Sequence, residues 1–254
     1  MRADMATLSW RVLPVFTLTV RQFAGGKAVR VVAALSFIPA VFALIYLINP
    51  DVDDPRHFVA QTMFRGLIVA PLLPITVLIL ATGALGNEIE DRTLPYLTLK
   101  PIGRLRIVVE KFVGVLIVAT PLMCAGIAAT YFLAFRGDAG DNLRLLWAML
   151  ASAAVGVVGY GAIFLLVSLL ISRALLAGII YALLWESLLG RFLPGLRVVS
   201  VRHFVESIFV KILDDPQVTV KSATSVEASL ITIGAATVLS IVLAAWRLRR
   251  MSLD

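Results

Sequence analysis

Apolar residues occur along this chain in long runs separated by short polar connectors. Six runs are long enough to cross a bilayer core about 30 Å thick, which takes a helix of about 20 residues. They cover residues 31–48, 66–86, 112–135, 145–171, 174–193 and 228–246. The pattern predicts an all-α membrane protein in which residues 1–254 form a single transmembrane domain with six transmembrane helices.

Two other segments are apolar on one helical face only. The first, residues 8–23, carries a stripe made of Leu8, Val12, Phe16, Val20 and Phe23, with Arg11 and Arg21 off it. This pattern is typical of a helix lying in the membrane interface, and Gly25 and Gly26 would end it. The alternative is that these residues are the opening turns of the first span.

The second amphipathic segment lies between the fifth and sixth spans. Ser200 is a suitable N-cap for it, and Asp214, Asp215 and Pro216 would end it. Its apolar stripe consists of Val201, Phe204, Val205, Ile208, Phe209 and Ile212, whereas Arg202, Glu206 and Lys211 lie off the stripe. We expect an outer amphipathic helix that dips into the outer leaflet or packs over the mouth of the bundle.

Two spans carry local signals of their own. Pro71 and Pro74 remove backbone hydrogen bonds from the second span and predict a kink. In the fourth span, Ala148, Ser152 and Gly156 repeat every four residues, which lets another transmembrane helix approach closely. The partner of this stripe is either a helix of the same subunit or a second copy of the chain.

Composition supports the membrane assignment, since the 254 residues are 60% hydrophobic and only 15% charged. The net charge of +7 is dispersed over short connectors, so nucleic acid is not an expected partner. With both termini inside, fourteen of the 23 Lys and Arg residues lie on the cytoplasmic side. The positive-inside rule therefore predicts a multi-pass protein of the cell membrane with both termini in the cytoplasm.

Motifs of catalysis and energy conversion are missing from the sequence. It contains no phosphate-binding loop and no Gly-x-Ser-x-Gly elbow, and its two histidines, His57 and His203, lack the spacing of zinc ligands. The predicted spans also contain almost no ionisable groups that could relay protons or ions. We therefore expect no enzyme activity, catalytic residue, metal site or cofactor in this chain, and any work it performs needs energy from elsewhere.

The most polar segment, residues 87–111, stands between the second and third spans. Its nine charged residues are Glu88, Glu90, Asp91, Arg92, Lys100, Arg104, Arg106, Glu110 and Lys111. Neither Gly66–Gly86 before it nor Phe112–Phe135 after it contains a charge. Because charges in a bilayer centre are costly, the segment must lie at a water interface, and the charge count predicts the cytoplasmic one.

The motif in this segment resembles the cytoplasmic segment of type 2 ABC exporter permeases. It reads Glu88-x-Glu90-x-x-Thr93-Leu94-x-Tyr96-Leu97, then Lys100-Pro101-Ile102-x-Arg104, with Glu110-Lys111 opening the next span. The sequence departs from the family pattern at Arg92, where glycine is common. The interfacial helix, the six spans and the long last outer segment extend the resemblance over nearly the whole chain.

The resemblance implies that residues 87–104 form a coupling helix and its flanks, which dock on a separate ATP-binding subunit. The docking residues would be Glu88, Glu90, Asp91, Arg92, Thr93, Tyr96, Leu97, Pro101 and Arg104. Two such permeases and two ATPases, the latter binding ATP and magnesium, would form the working exporter in the lipid membrane. The alternative is a membrane scaffold or sensor-partner protein that uses the same segment for docking and moves no substrate.

Overall fold

The computed structural model of the chain describes residues 14–48, 54–86, 103–137, 139–171, 200–220 and 222–250. All regular structure within these ranges is helical, as predicted, and none of it is strand. The helices are α1 (Pro14–Gly25), α2 (Lys27–Ile48), α3 (Pro55–His57 continued by Phe58–Leu72, Leu73–Ala81 and Thr82–Gly86), α4 (Arg104–Ala134), α5 (Leu143–Leu170), α6 (Val201–Leu213) and α7 (Val226–Arg250).

Five of these helices, α2, α3, α4, α5 and α7, are long and apolar enough to cross a membrane. They overlap the first, second, third, fourth and sixth predicted spans. The predicted fifth span, 174–193, lies outside the described residues, as do residues 87–102 of the predicted docking segment. Helices α3 and α5 are the most buried of the five and form the centre of the bundle.

Helix α1 is separate from the first span, because the chain bends at Gly26 between α1 and α2. Its buried face consists of Val15, Thr19 and Phe23, whereas Phe16 and Val20 of the predicted stripe are only half-buried. A helix is present here, as predicted, and Phe23 of the predicted stripe is buried, but the face that packs against the protein also includes Val15 and Thr19. The reason is tertiary, since α4 contacts the side of α1 that carries Thr19.

Helix α3 changes its hydrogen-bonding pattern along its length. Phe58–Leu72 and Thr82–Gly86 are π-helical, and the intervening Leu73–Ala81 is α-helical. At the first junction the N–H of Leu73 donates to the carbonyl of Ile68, five residues earlier. Pro71 and Pro74 lie on either side of this junction, where their missing N–H groups remove the donors that would continue one regular pattern.

The small-residue stripe of α5 packs inside the chain. Ala148, Ser152 and Gly156 are all buried, and Gly156 contacts the side chains of Leu73 in α3 and Val205 in α6. The partners of Gly156 are therefore two helices of the same subunit, α3 and α6.

Helix α6 lies lengthwise beside α5 and runs antiparallel to it. Val201 contacts Gly159, and near the other end of α6 the Nε of Arg144 donates to the carbonyl of Ile212 over 2.9 Å. The predicted cap is present, because the Ser200 hydroxyl accepts from the N–H of His203. Of the two predicted placements, packing on the bundle is the closer one, although α6 packs along α5 and not across its end.

The bundle has two polar ends, which we name after a buried glutamate at each. The Glu110 end contains α1, the last turn of α3 and the first turns of α4. The Glu206 end contains α6, the first half of α3 and the start of α5. Under the predicted topology the Glu110 end is the cytoplasmic one.

Candidate functional site

The predicted docking segment falls largely outside the described residues, but both of its flanks are described. Eight of the nine candidate residues lie outside: Glu88, Glu90, Asp91, Arg92, Thr93, Tyr96, Leu97 and Pro101. The ninth, Arg104, is the first residue of α4. The described part of the site is therefore the Glu110 end, where α3 ends at Gly86 and α4 begins.

Glu110, on the second turn of α4, caps the beginning of α1. Its Oε2 accepts hydrogen bonds from the backbone N–H groups of Val15, at 2.9 Å, and Phe16, at 3.0 Å. Its Oε1 lies 2.6 Å from the Nε of Arg106, and the side chain is only 3% exposed. The first N–H groups of a helix lack partners within it and favour a negative charge. This one carboxylate therefore fixes the first turn of α1 on α4.

Lys111, the next residue along, bonds to the end of α3. Its side chain is fully buried, and its Nζ donates to the carbonyl of Ala84 over 2.6 Å. The last carbonyls of a helix lack partners within it and favour a positive charge. Adjacent side chains of α4 thus bind opposite helix termini, the start of α1 and the end of α3.

Two glycines bring the three helices into close contact beneath these polar bonds. A Cβ on Gly114 would lie 2.9 Å from Cγ2 of Thr19, and one on Gly83 would lie 3.6 Å from the ring of Phe23. Thr19 and Phe23 lie one turn apart on the same face of α1. Helix α1 is therefore packed between α3 and α4, the two helices that the predicted docking segment connects.

Arg104 gives this end a charged group with unused hydrogen-bonding capacity. It is half-buried, and its Nη1 is buried without a hydrogen-bond partner among the described residues. Arg106, which lies one helical turn before Glu110 in α4, is about half exposed. An arginine whose donors are not all used can bind a carboxylate or carbonyl supplied from outside the described ranges. The Glu110 end can therefore bind a partner group and hold helices together.

A second polar cluster lies at the Glu206 end. The Oε2 of Glu206 accepts from Nη2 and Nε of Arg65 in α3, at 2.9 and 3.3 Å. Its Oε1 accepts from the Nε of Arg202, one turn earlier in α6, at 2.6 Å. All three charged side chains are less than one-fifth exposed. Glu206, which lies off the predicted apolar stripe of α6, is nevertheless buried and has a partner in α3.

Sequence reasoning found some of these residues but not their roles. Glu110 and Lys111 were recognised only as the start of the third span, because their partners lie 95 and 27 residues away. Arg65 and Glu206 were missed, since their pairing spans 141 residues. One signal could have indicated them, namely that a charge bordering an apolar span requires a partner.

These features define a multi-pass α-helical membrane protein whose polar side chains attach helices to one another at both ends of the bundle. Within the described ranges there is no group of three or more His, Cys, Asp or Glu residues that could hold a metal ion.

A family model described as ABC-2 family transporter protein matches residues 12–253, and the chain belongs to this family. It is accordingly a membrane component of ABC transporters, the permease subunit, and the family implies association with an ABC ATP-binding subunit in general. A comparison with curated proteins finds no match to the chain.

Proposed function

We propose that the chain is an exporter permease that couples ATP hydrolysis in separate subunits to substrate movement through the segment 87–104. Two permeases and two ATPases form the working unit, with ATP and magnesium bound by the ATPases. The Glu110 end faces the cytoplasm, with both termini on that side.

The observation that carries the proposal is the double attachment made by Glu110 and Lys111. The docking segment continues directly into α3 on one side and α4 on the other. Through Glu110 and Lys111, α4 also holds α1 and the end of α3. A push on the segment would therefore move three helices together, as a force-receiving site requires.

Surface chemistry supports the same arrangement. Tyr96, Leu97 and Leu99 offer an apolar surface for insertion into a partner, and charged residues around them can pair at its rim. Arg104, the first residue of α4, is a half-buried cation beside the segment, and its exposed part can pair with a carboxylate of the ATPase. Exposed apolar side chains on α2 and α7, such as Val41 and Val238, suit contact with lipid.

Co-purification with the product of the neighbouring gene, which we expect to be an ABC ATPase, tests the proposal. We expect Tyr96→Ala and Glu88→Arg each to weaken assembly and to lower the ATPase activity that depends on the permease. Matched controls at the Glu206 end are Phe132→Ala and Glu227→Arg, both at exposed positions, which should leave assembly and turnover unchanged.

Unchanged assembly and turnover in both docking variants would contradict docking at this segment. Co-purification with a kinase or a secretion component in place of an ATPase would favour the scaffold or sensor-partner alternative.

A further inference from the structure

The charged cluster at the Glu206 end has no part in docking at the opposite end, and its contacts are concentrated on α6. Among the described residues, every ion pair that joins different helices or loops involves the segment 206–215. These pairs are Arg65 with Glu206, Arg144 with Asp214 and Arg56 with Asp215. The remaining described ion pairs join residues four apart in one helix. Within the described ranges, the ion pairs between different elements thus lie on α6 and its C-terminal end.

Of the three pairs, the one made by Glu206 is the most protected from water. The side chains of Arg65 and Glu206 are 19% and 9% exposed, whereas those of Arg144 and Asp214 are 60% and 77% exposed. Exposed pairs contribute little because water and salt screen them, but a buried carboxylate depends on its partners. Glu206 therefore dominates the polar attachment of α6 to α3.

If the pair between Arg65 and Glu206 separates, Glu206 keeps a countercharge and Arg65 keeps a hydrogen-bond acceptor. Arg65 also hydrogen-bonds Gln61, four residues earlier in α3, and Glu206 also binds Arg202, four residues earlier in α6. Each half of the pair would keep a partner on its own helix if the two helices moved apart. The penalty of an isolated buried charge, which normally prevents separation, is thereby reduced.

The apolar side chains of α6 pack on two glycines of α5 and on one aromatic ring of α3. Val201 and Val205 face Gly159 and Gly156 of α5, and the ring of Phe209 lies 4.5 Å from that of Phe64. Both ends of α6 are capped by residues next to it in the chain. Ser200 is the N-cap, and Asp214, in the left-handed conformation with a φ of 53°, is the C-cap. The helix is therefore a self-contained unit held against glycine-containing and aromatic surfaces.

We propose that the cluster of Arg65, Glu206 and Arg202 is a latch that holds α6 closed against α3 and releases it during the transport cycle. Glu206 is the positioning residue of this latch, and the release step rests on the proposed function. In the closed state Arg65 joins the helices. In the released state each charge keeps its partner on its own helix, and α6 moves away from α3.

The first experiment tests the closed state on the chain alone in lipid nanodiscs, which expose both faces of the membrane. A Ser207→Cys reporter is introduced in a Cys124→Ala background, because Ser207 is fully buried next to Glu206. We expect slow maleimide labelling of this reporter and a rise of about tenfold or more when Glu206→Gln is added. The charge swap Arg65→Glu with Glu206→Arg, made together with Arg202→Gln so that two arginines do not face each other on α6, should restore slow labelling.

A matched control separates latch opening from unfolding. Ser168→Cys is a buried reporter at the other end of α5, away from α6, and should stay unreactive in every variant. If Glu206→Gln leaves the Ser207→Cys rate unchanged, or if both reporters become reactive together, the latch is overturned.

The second experiment uses the assembled permease and ATPase with Arg65 and Glu206 intact. We expect the Ser207→Cys labelling rate to change at least severalfold between the nucleotide-free and the nucleotide-trapped complex, with Ser168→Cys unreactive in both. An active complex with no such change would overturn release during the cycle while leaving the proposed function standing. Failure to assemble with any ATPase would instead contradict the proposed function, and the first experiment would still decide the latch.

Discussion

The carbonyl oxygen of Ser36 in α2 occupies the space into which a Cβ at position 126 of α4 would project. A glycine is therefore required at position 126, where α2 and α4 are in backbone contact. The Ser36 hydroxyl also donates to the sulfur of Met123, 3.4 Å away, and Thr76 of α3 donates to the same sulfur. Three helices meet at this point, where a small residue permits backbone contact.

Gly126→Ala should destabilise the bundle, because the new methyl group collides with backbone that cannot rotate away. We expect a loss of about 1–3 kcal/mol, the range typical of overpacking. Equilibrium unfolding in mixed micelles measures it. The matched control is Gly234→Ala, which has no neighbouring atom within 4 Å. Equal stability of the two variants would show that the crossing is less tight than described.

Glu110→Ala should loosen α1 selectively, since it leaves the N–H groups of Val15 and Phe16 without their acceptor. Loss of a helix cap costs about 0.5–2 kcal/mol. Hydrogen exchange should therefore become faster in α1, while the amides of α5 keep their protection. Arg106→Gln removes the ion pair but keeps the cap, so it should have the smaller effect on α1. The reverse order would assign the attachment of α1 to the ion pair.

Lys111→Ala should destabilise the junction between α3 and α4, because the last turn of α3 loses the donor that satisfies the Ala84 carbonyl. Hydrogen bonds to charged groups contribute about 1.5–3 kcal/mol, and we expect a loss of that order. Lys111→Met retains most of the side-chain volume and separates packing from bonding. If Lys111→Met is as stable as the unchanged chain in unfolding measurements, the hydrogen bond from Lys111 to Ala84 contributes nothing.

Arg65→Ala should be far more destabilising than Arg56→Ala. Removing one partner of a buried ion pair costs about 3–5 kcal/mol when the other charge is left alone, and we expect a loss toward the lower end of that range because Arg202 still pairs with Glu206. The Arg56 pair with Asp215 is more exposed on the arginine side and should contribute about 1 kcal/mol or less. Unfolding of the two variants side by side provides the comparison, and equal losses would mean that Glu206 is better hydrated than its burial indicates.

Local pattern was sufficient to predict several elements. The apolar runs predicted helices where α2, α3, α4, α5 and α7 are found, because a run of about 20 apolar residues has few alternatives to a spanning helix. Ser200 was predicted correctly as a cap, since capping depends on residues only a few positions apart. The motif at residues 87–104 indicated the family, which the match over residues 12–253 confirms.

Contacts between residues that are far apart along the chain could not be predicted from the sequence. The face of α1 that is buried depends on where Gly114 of α4 lies, and Glu206 is buried because Arg65 of α3 lies beside it. A periodic pattern identifies which residues share a helical face, but it does not say which neighbour covers that face. The π-helical stretches of α3 were likewise missed, although Pro71 and Pro74 marked the irregular region.

The sequence by itself determined that this protein is a helical membrane protein, which segments are long enough to span the membrane, and that a charged segment between the second and third spans is its candidate docking element. These properties follow from chain-local hydrophobicity and charge. Only the tertiary structure decided that Glu110 and Lys111 attach α1 and α3 to α4, and that Glu206 attaches α6 to α3. Such contacts depend on how helices pack in three dimensions, where a single carboxylate or ammonium group can satisfy backbone or charged partners that are far away along the chain.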